Sequence, residues 1–189
     1  MNRFARWGFA LALLPVAACA DKPPAPPPAP PGPPPLAAAD AQFIQDAAQG
    51  GMAEVQMAQL AQSKSKNPKV KAFAAKMIAE HSPNNDQLKQ LATTKGATLP
   101  TGLSDAQNQQ LTTLQGEMGR KFDHDYIADQ VQDHQAMLTA FQTEAQSGTD
   151  PDLKNFASQT VPTIQEHLTD AQKLQTGGGT MHKGRHHKK

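Results

Sequence analysis

The sequence predicts an all-α protein, an antiparallel four-helix bundle with one additional short helix. Three observations carry this. No stretch alternates apolar and polar residues with period two over strand length. The central region is rich in Ala, Gln, Leu, Lys and Met, all compatible with helix. Four long segments place apolar residues at i, i+3 and i+4, the spacing that lines one face of a helix.

The first helix is expected from Asp40, a good N-cap, to about Ser65. Its inward face reads Phe43, Ile44, Ala47, Gly51, Glu54, Val55, Ala58 and Ala61. Gly50 and Gly51 inside it weaken the helix by about 1 kcal/mol each relative to Ala, which points to a close approach or a kink. Asn67 and Pro68 supply a cap and a first-turn proline for the second helix. Its stripe runs through Val70, Phe73, Met77, His81, Leu88 and Ala92, and Gly96 stops it. Pro83 either kinks this helix or opens a new segment capped by Ser82. Ser104 and Gln107 form a capping box for a short helix to about Gln115, and Gly116 and Gly119 then loosen the chain. The next long helix spans about Arg120 to Gln146, with Phe122, Tyr126, Ile127, His134 and Phe141 on its stripe, and Gly148 ends it. Asp150 and Pro151 open the last helix, whose stripe holds Leu153, Phe156, Ile164, His167 and Leu168, with a bend expected at Pro162. The methionines at 52, 57, 77, 118 and 137 fit core filling better than soft copper ligation.

Around residues 37–176, which form the bundle, stand three appendages. Residues 1–18 have the layout of an export signal: Arg3 and Arg6, then the apolar run Gly8 to Ala18, too short for a permanent bilayer span. The run ends in Val16-Ala17-Ala18-Cys19, which resembles a bacterial lipobox whose cysteine is lipidated and becomes the mature N-terminus. Cys19 is the sole cysteine, so no intramolecular disulfide can form. Ala18-Cys19-Ala20 also fits an ordinary secretory cleavage site, leaving a secreted or soluble periplasmic protein as the alternative. Lipidation at Cys19 would make the membrane a partner, with Ala20 at mature position two favouring an outer-membrane lipoprotein facing the periplasm. Residues 19–36 are the lipidated end and a Pro-rich linker, a polyproline II spacer of roughly 40 Å over its fourteen-residue Pro-rich stretch. Residues 177–189, rich in Gly, His and Lys, are expected to form a disordered tail.

Ala37 to Gln175 carries 11 Lys and Arg against 16 Asp and Glu, a formal net charge of −5. That excludes the basic face of a nucleic-acid binder.

Each long helix carries one ionisable side chain on its apolar stripe: Glu54, His81, His134 and His167. Buried groups of this kind are costly without partners. Glu54 lies twelve residues before the turn near Lys66 and His81 fifteen after it; His134 lies fifteen before the turn near Thr149 and His167 eighteen after it. At ~1.5 Å per residue these offsets are about 4–5 Å within each hairpin, so the four meet at mid-bundle if the hairpins share a level. One Glu and three His suit a single divalent transition metal, since imidazole favours zinc, copper, iron and nickel. The reading preferred over it is a buried hydrogen-bond network that fixes helix register, with Glu54 ionised and one or more imidazoles protonated. Asp123 and Tyr126 are candidates for a second, smaller polar pocket, beside an acidic helix start that complements the dipole. No catalytic constellation is legible.

The chain resembles the DUF4142 family of exported bacterial proteins through Asp40-Ala-Gln-Phe43, Gly51-Met-Ala-Glu-Val55, Val70-Lys-Ala-Phe-Ala74, Glu80-His-Ser82, Phe122-Asp-His-Asp-Tyr126, His134 and Val161-Pro-Thr-Ile-Gln-Glu-His-Leu168. The resemblance implies a ferritin-like bundle and an exported address rather than a particular chemistry. Ferritin-like di-metal sites use Glu-x-x-His, because residues three apart share a face. Here Ile78, Val131 and Ile164 stand three residues before the histidines, which argues against oxygen-activating di-iron chemistry. The expected role is a non-enzymatic binding or stress-related function in the cell envelope. The alternatives are a metal-binding or metal-dependent redox protein, and an interaction module for peptidoglycan, lipid or an envelope protein.

Overall fold

The computed structural model describes residues 35–177, so the export signal, Cys19, most of the Pro-rich linker and the His-rich tail lie outside the described residues. Five helices and no strand occur among the described residues: α1 (Ala38–Lys64), α2 (Pro68–Thr94), α3 (Asp105–Gly116), α4 (Gly119–Ser147) and α5 (Pro151–Gly177). None is long and apolar enough to cross a membrane.

Short turns join α1 to α2 and α4 to α5, so each pair is an antiparallel hairpin. Side-chain contacts then fix how the hairpins face each other. Phe43 of α1 meets Phe141 of α4 near one end, and Lys64 lies over the Phe122 ring near the other. Along the opposite seam, Asn84 of α2 donates to Thr160 of α5, while Lys95 just beyond α2 pairs with Asp150 at the start of α5. Every neighbouring pair of long helices is therefore antiparallel. The end of α2 and the start of α4 consequently lie at opposite ends of the bundle. Residues 95–118 must travel its length, and α3 forms part of that crossover. One long crossover between the second and third long helices is the connectivity of ferritin-like bundles.

Local signals account for several helix ends. Asn67 accepts from the Lys69 N–H and Pro68 stands at the first helical position. Gly96, at φ +66, takes the left-handed conformation that closes α2. Ser104 and Gln107 form both bonds of the capping box. The Lys64 ammonium donates to the Leu114 and Gln115 carbonyls at the end of α3, where a cation is favoured.

Three expectations need correction. Asp40 is not an N-cap: α1 begins two residues earlier, and Asp40 is fully buried in its first turn. Its carboxylate accepts from the Thr149 N–H, the Thr149 hydroxyl and the Asp150 N–H, so it secures the α4–α5 turn across the bundle. Burial alone would raise its pKa, but those three bonds hold it below the usual carboxylate value. Val55 stands half-exposed while Met57 and Ala53 fill the core. Met118, expected as core filler, is 77% exposed at the α3–α4 junction, because the chain there is turning rather than packing.

Pro83 and Pro162 both sit inside continuous helices, so Ser82 opens no separate segment. Gly51 faces α2 so closely that a Cβ there would lie 1.9 Å from Asn85 Oδ1. That contact gives Gly51 its reason, room for the Asn85 side chain of α2, whereas a Cβ at Gly50 would meet Met137 of α4 at 3.3 Å.

The apolar core comes in two halves. One gathers Met57, Phe73, Met77, Phe122 and Tyr126; the other gathers Phe43, Ile44, Leu88, Phe141 and Phe156. Edge-to-face contacts of Phe43 with Phe141 and Phe156 organise the second half. The buried polar layer that includes Glu54, His81, His134 and His167 belongs to neither apolar half.

Candidate metal centre

His81, His134 and His167 are delivered by α2, α4 and α5, because each occupies the inward stripe of its helix. They are 6%, 0% and 1% exposed. Their ring centroids are 5.1–5.6 Å apart, and one ring nitrogen of each lies within 4.8 Å of the others.

Two rings are oriented through their remote nitrogens. His134 Nδ1 lies 2.9 Å from the Gln130 carbonyl, which can only accept, so the proton sits on Nδ1 and Nε2 carries a lone pair. His167 Nε2 donates to Glu80 Oε2 at 2.7 Å, which leaves the lone pair on Nδ1. His134 Nε2, His167 Nδ1 and His81 Nε2 are all buried without a hydrogen-bond partner among the described residues. His134 Nε2 and His167 Nδ1 thus carry buried lone pairs with no donor to face, which is costly.

The surroundings keep the rings neutral, as coordination requires. Burial, then the neighbouring imidazoles His134 and His167, push the His81 pKa down to about 3. Burial and His167 push His134 down to about 4, against the opposing pull of the Gln130 carbonyl. His167 is lowered by burial too, with Glu80 opposing.

Glu54 is 1% exposed, and its Oε1 lies 3.6 Å from His134 Nδ1. That nitrogen already donates to Gln130, so Glu54 stands behind the ring, outside the set of three imidazoles. Burial, followed by the charges of Asp133 and Asp129, pushes its pKa up to about 8, with Gln130 opposing. The ionised Glu54 and protonated imidazole expected of a polar network are therefore disfavoured. Desolvation outweighs their mutual attraction, and both are neutral at neutral pH.

The site tolerates a metal. Nitrogens no farther than 4.8 Å apart lie at most about 2.8 Å from a common centre, and a Zn–N bond is about 2.0–2.1 Å, so no ring need close by more than roughly 0.7 Å. Glu80 and the Gln130 carbonyl are the outer partners that ligating histidines usually have.

Of the other singled-out residues, Tyr126 is fully buried against Phe73 and Phe122, with no partner for its hydroxyl among the described residues. Asp123 Oδ1 is likewise buried and unpartnered. Neither lines the two cavities beside the histidine cluster. Glu80 and Gln130 were missed as outer partners. Glu80 neighbours His81 in sequence but serves His167 on another helix, and Gln130 acts through its backbone, so neither role leaves a sequence signal.

Residues 25–174 match the family model described as "Domain of unknown function (DUF4142)". Among solved structures, the chain is similar to a DUF305 fragment from Deinococcus radiodurans, at a TM-score of 0.68 and 14% identity, covering 76% of this chain and 99% of that one. That likeness concerns the helical fold. The sequence matches no curated protein. The chain belongs to the DUF4142 family.

Proposed function

We propose that this DUF4142 protein is a non-enzymatic binding protein of the cell envelope that holds a single transition-metal ion through His81, His134 and His167. Two observations carry the reading: three buried imidazoles converge from three helices with one ring nitrogen of each within 4.8 Å of the others, and each ring has a buried nitrogen without a hydrogen-bond partner among the described residues. A register-fixing network would instead pair those nitrogens with donors. Nitrogen-only ligation suits zinc, copper, iron or nickel rather than magnesium or calcium.

Lipid attachment at Cys19 and outer-membrane residence belong to the same proposal, supported by Arg3, Arg6, the apolar run and the Val16 to Cys19 sequence. Under it, the Pro-rich stretch holds the bundle away from the bilayer.

Elemental analysis of the chain carrying His182→Ala, His186→Ala and His187→Ala tests the site without adventitious tail binding. It should retain near-stoichiometric metal, and adding His81→Ala, His134→Ala and His167→Ala should abolish it. Metal retained by the latter protein, or absent from the former after incubation with each ion, refutes the assignment. Cys19→Ser should release the protein from membranes; unchanged retention excludes Cys19 as the anchor.

A further inference from the structure

Of two cavities beside the histidine cluster, the larger, about 510 Å³, lies between α2 and α5 and faces solvent past Gln87 and Gln159. The smaller, about 300 Å³, lies between α1 and α4, with Gln107 of α3 at its edge, and touches none of the three imidazoles. Its origin is a set of small residues on two helices. Ala47, Gly50 and Ala53 line it from α1, and Ala136 and Ala140 line it from α4, so neither helix fills the gap. Met137 and Phe141 supply the larger apolar surfaces.

The ionisable side chains on this cavity are Asp46, Glu54 and Asp133, all acidic, and no Lys, Arg or His lines it. Asp46 is exposed, Asp133 is partly buried and Glu54 is 1% exposed, so carboxyl groups run from the surface inward. The buried Glu54 Oε2 has no hydrogen-bond donor among the described residues. Asp133 Oδ2 accepts from Gln110 Nε2 of α3 at 2.9 Å, which ties the crossover to this carboxylate. These oxygens are not gathered as metal ligands are. Among the described residues, only the three histidines form a group with ligand atoms within 4.8 Å of one another.

We infer that the α1–α4 cavity binds a small organic cation, an alkylammonium, with its N–H groups donated to Asp133 and Glu54 and its hydrocarbon stem against Met137 and Phe141. The inference stands apart from the metal-binding reading. Charge complementarity selects the head group: an anion would meet only acidic side chains, and a guest without donors would leave the Glu54 oxygen unsatisfied. An ammonium supplies several N–H donors, and such charge-assisted bonds are roughly twice as strong as neutral ones. A bare divalent ion lacks the converging oxygens it would need. The walls select the stem, since a mostly apolar cavity with a few placed polar groups takes a guest of the same mixed character.

The test titrates hexylammonium chloride into the full chain by calorimetry, beside 1-hexanol and hexanoate at the same pH and ionic strength. Saturable one-to-one binding of hexylammonium is expected, about tenfold tighter than hexanol, with no binding of hexanoate. Asp133→Asn keeps the side-chain size and removes the charge; it should weaken hexylammonium about tenfold and leave hexanol unchanged. Ala136→Trp fills the cavity from α4 and should abolish both, with Ala140→Trp repeating the test in case the first variant misfolds by circular dichroism. Because an amine can also ligate a bound metal, the titration is repeated on chelator-treated protein. Affinity unchanged by chelation supports the cavity; affinity lost with the metal overturns it and leaves the metal reading standing. Equal affinity for hexylammonium and hexanol, or an unaltered response in Asp133→Asn, overturns the role of charge. Undiminished binding in a folded tryptophan variant, or no saturable heat in the parent, overturns the site.

Discussion

Replacing Glu54 with Gln should flatten the alkaline side of the stability profile of the metal-free protein. The side chain is 1% exposed, and burial pushes its pKa from 4.5 to about 8. In the unfolded chain the same carboxyl titrates near its ordinary value. Between those two values the folded state holds a proton that the unfolded state has released. Stability contributed by neutral Glu54 is therefore fully present below pH 4.5 and is lost as pH rises toward 8. The slope is about 1.4 kcal/mol per pH unit, so from about pH 5 to about pH 8 the parent loses roughly 4 kcal/mol that the Gln variant keeps. Depressed His81 and His134 act in the opposite direction: their contribution is present above 6.5 and lost as pH falls toward about 3 and about 4. Both proteins share that component, so it cancels in the difference. Urea unfolding followed by circular dichroism, in the presence of chelator, reads the effect directly. With a denaturant slope of about 2 kcal/mol per molar, the gap between the two midpoints should widen by about 2 M across the range. Parallel curves for parent and variant would show that Glu54 ionises as it does in water, and the account of a desolvated neutral carboxyl would be wrong.

Two further outcomes follow from named contacts. Glu80→Ala removes the acceptor that orients His167 and should weaken metal affinity about 10- to 100-fold in chelator competition while leaving the helical signal unchanged; unaltered affinity would deny Glu80 its orienting role. Asp40→Ala strips three accepted hydrogen bonds from the α4–α5 turn and should cost about 2–4 kcal/mol near neutral pH. Because the Asp40 pKa is lowered, that stabilisation is present above 3.8 and disappears as pH falls below it, so parent and variant should converge in acid; a constant gap would contradict the ionised acceptor.

How far the site could be foreseen differs residue by residue. The inward positions of His81, His134 and His167 follow from helical periodicity alone, since each falls on the stripe of its own helix. Their common level followed from counting residues to the turns, given hairpins in register. Asp40 shows the limit of local rules: it is a good capping residue by type, yet its partners are Thr149 and Asp150, more than a hundred positions away. Glu54 shows a second limit. Its stripe position was evident, but which side of His134 it would occupy depends on the rotation of α1 against α4.

By itself the sequence determined the all-α class, the helix boundaries to within a few residues, the capping box at Ser104 and the inward set of three histidines and one glutamate. Those properties follow from 3.6-residue periodicity and from backbone groups satisfied within a turn, which are local physics. Only the tertiary structure decided that α3 belongs to a crossover, that three imidazoles form the set while Glu54 stands behind His134, and that the solvent-facing cavity lies between α2 and α5. Each of these depends on how helices rotate and slide against one another, and that is fixed by interdigitation of side chains distant in the chain.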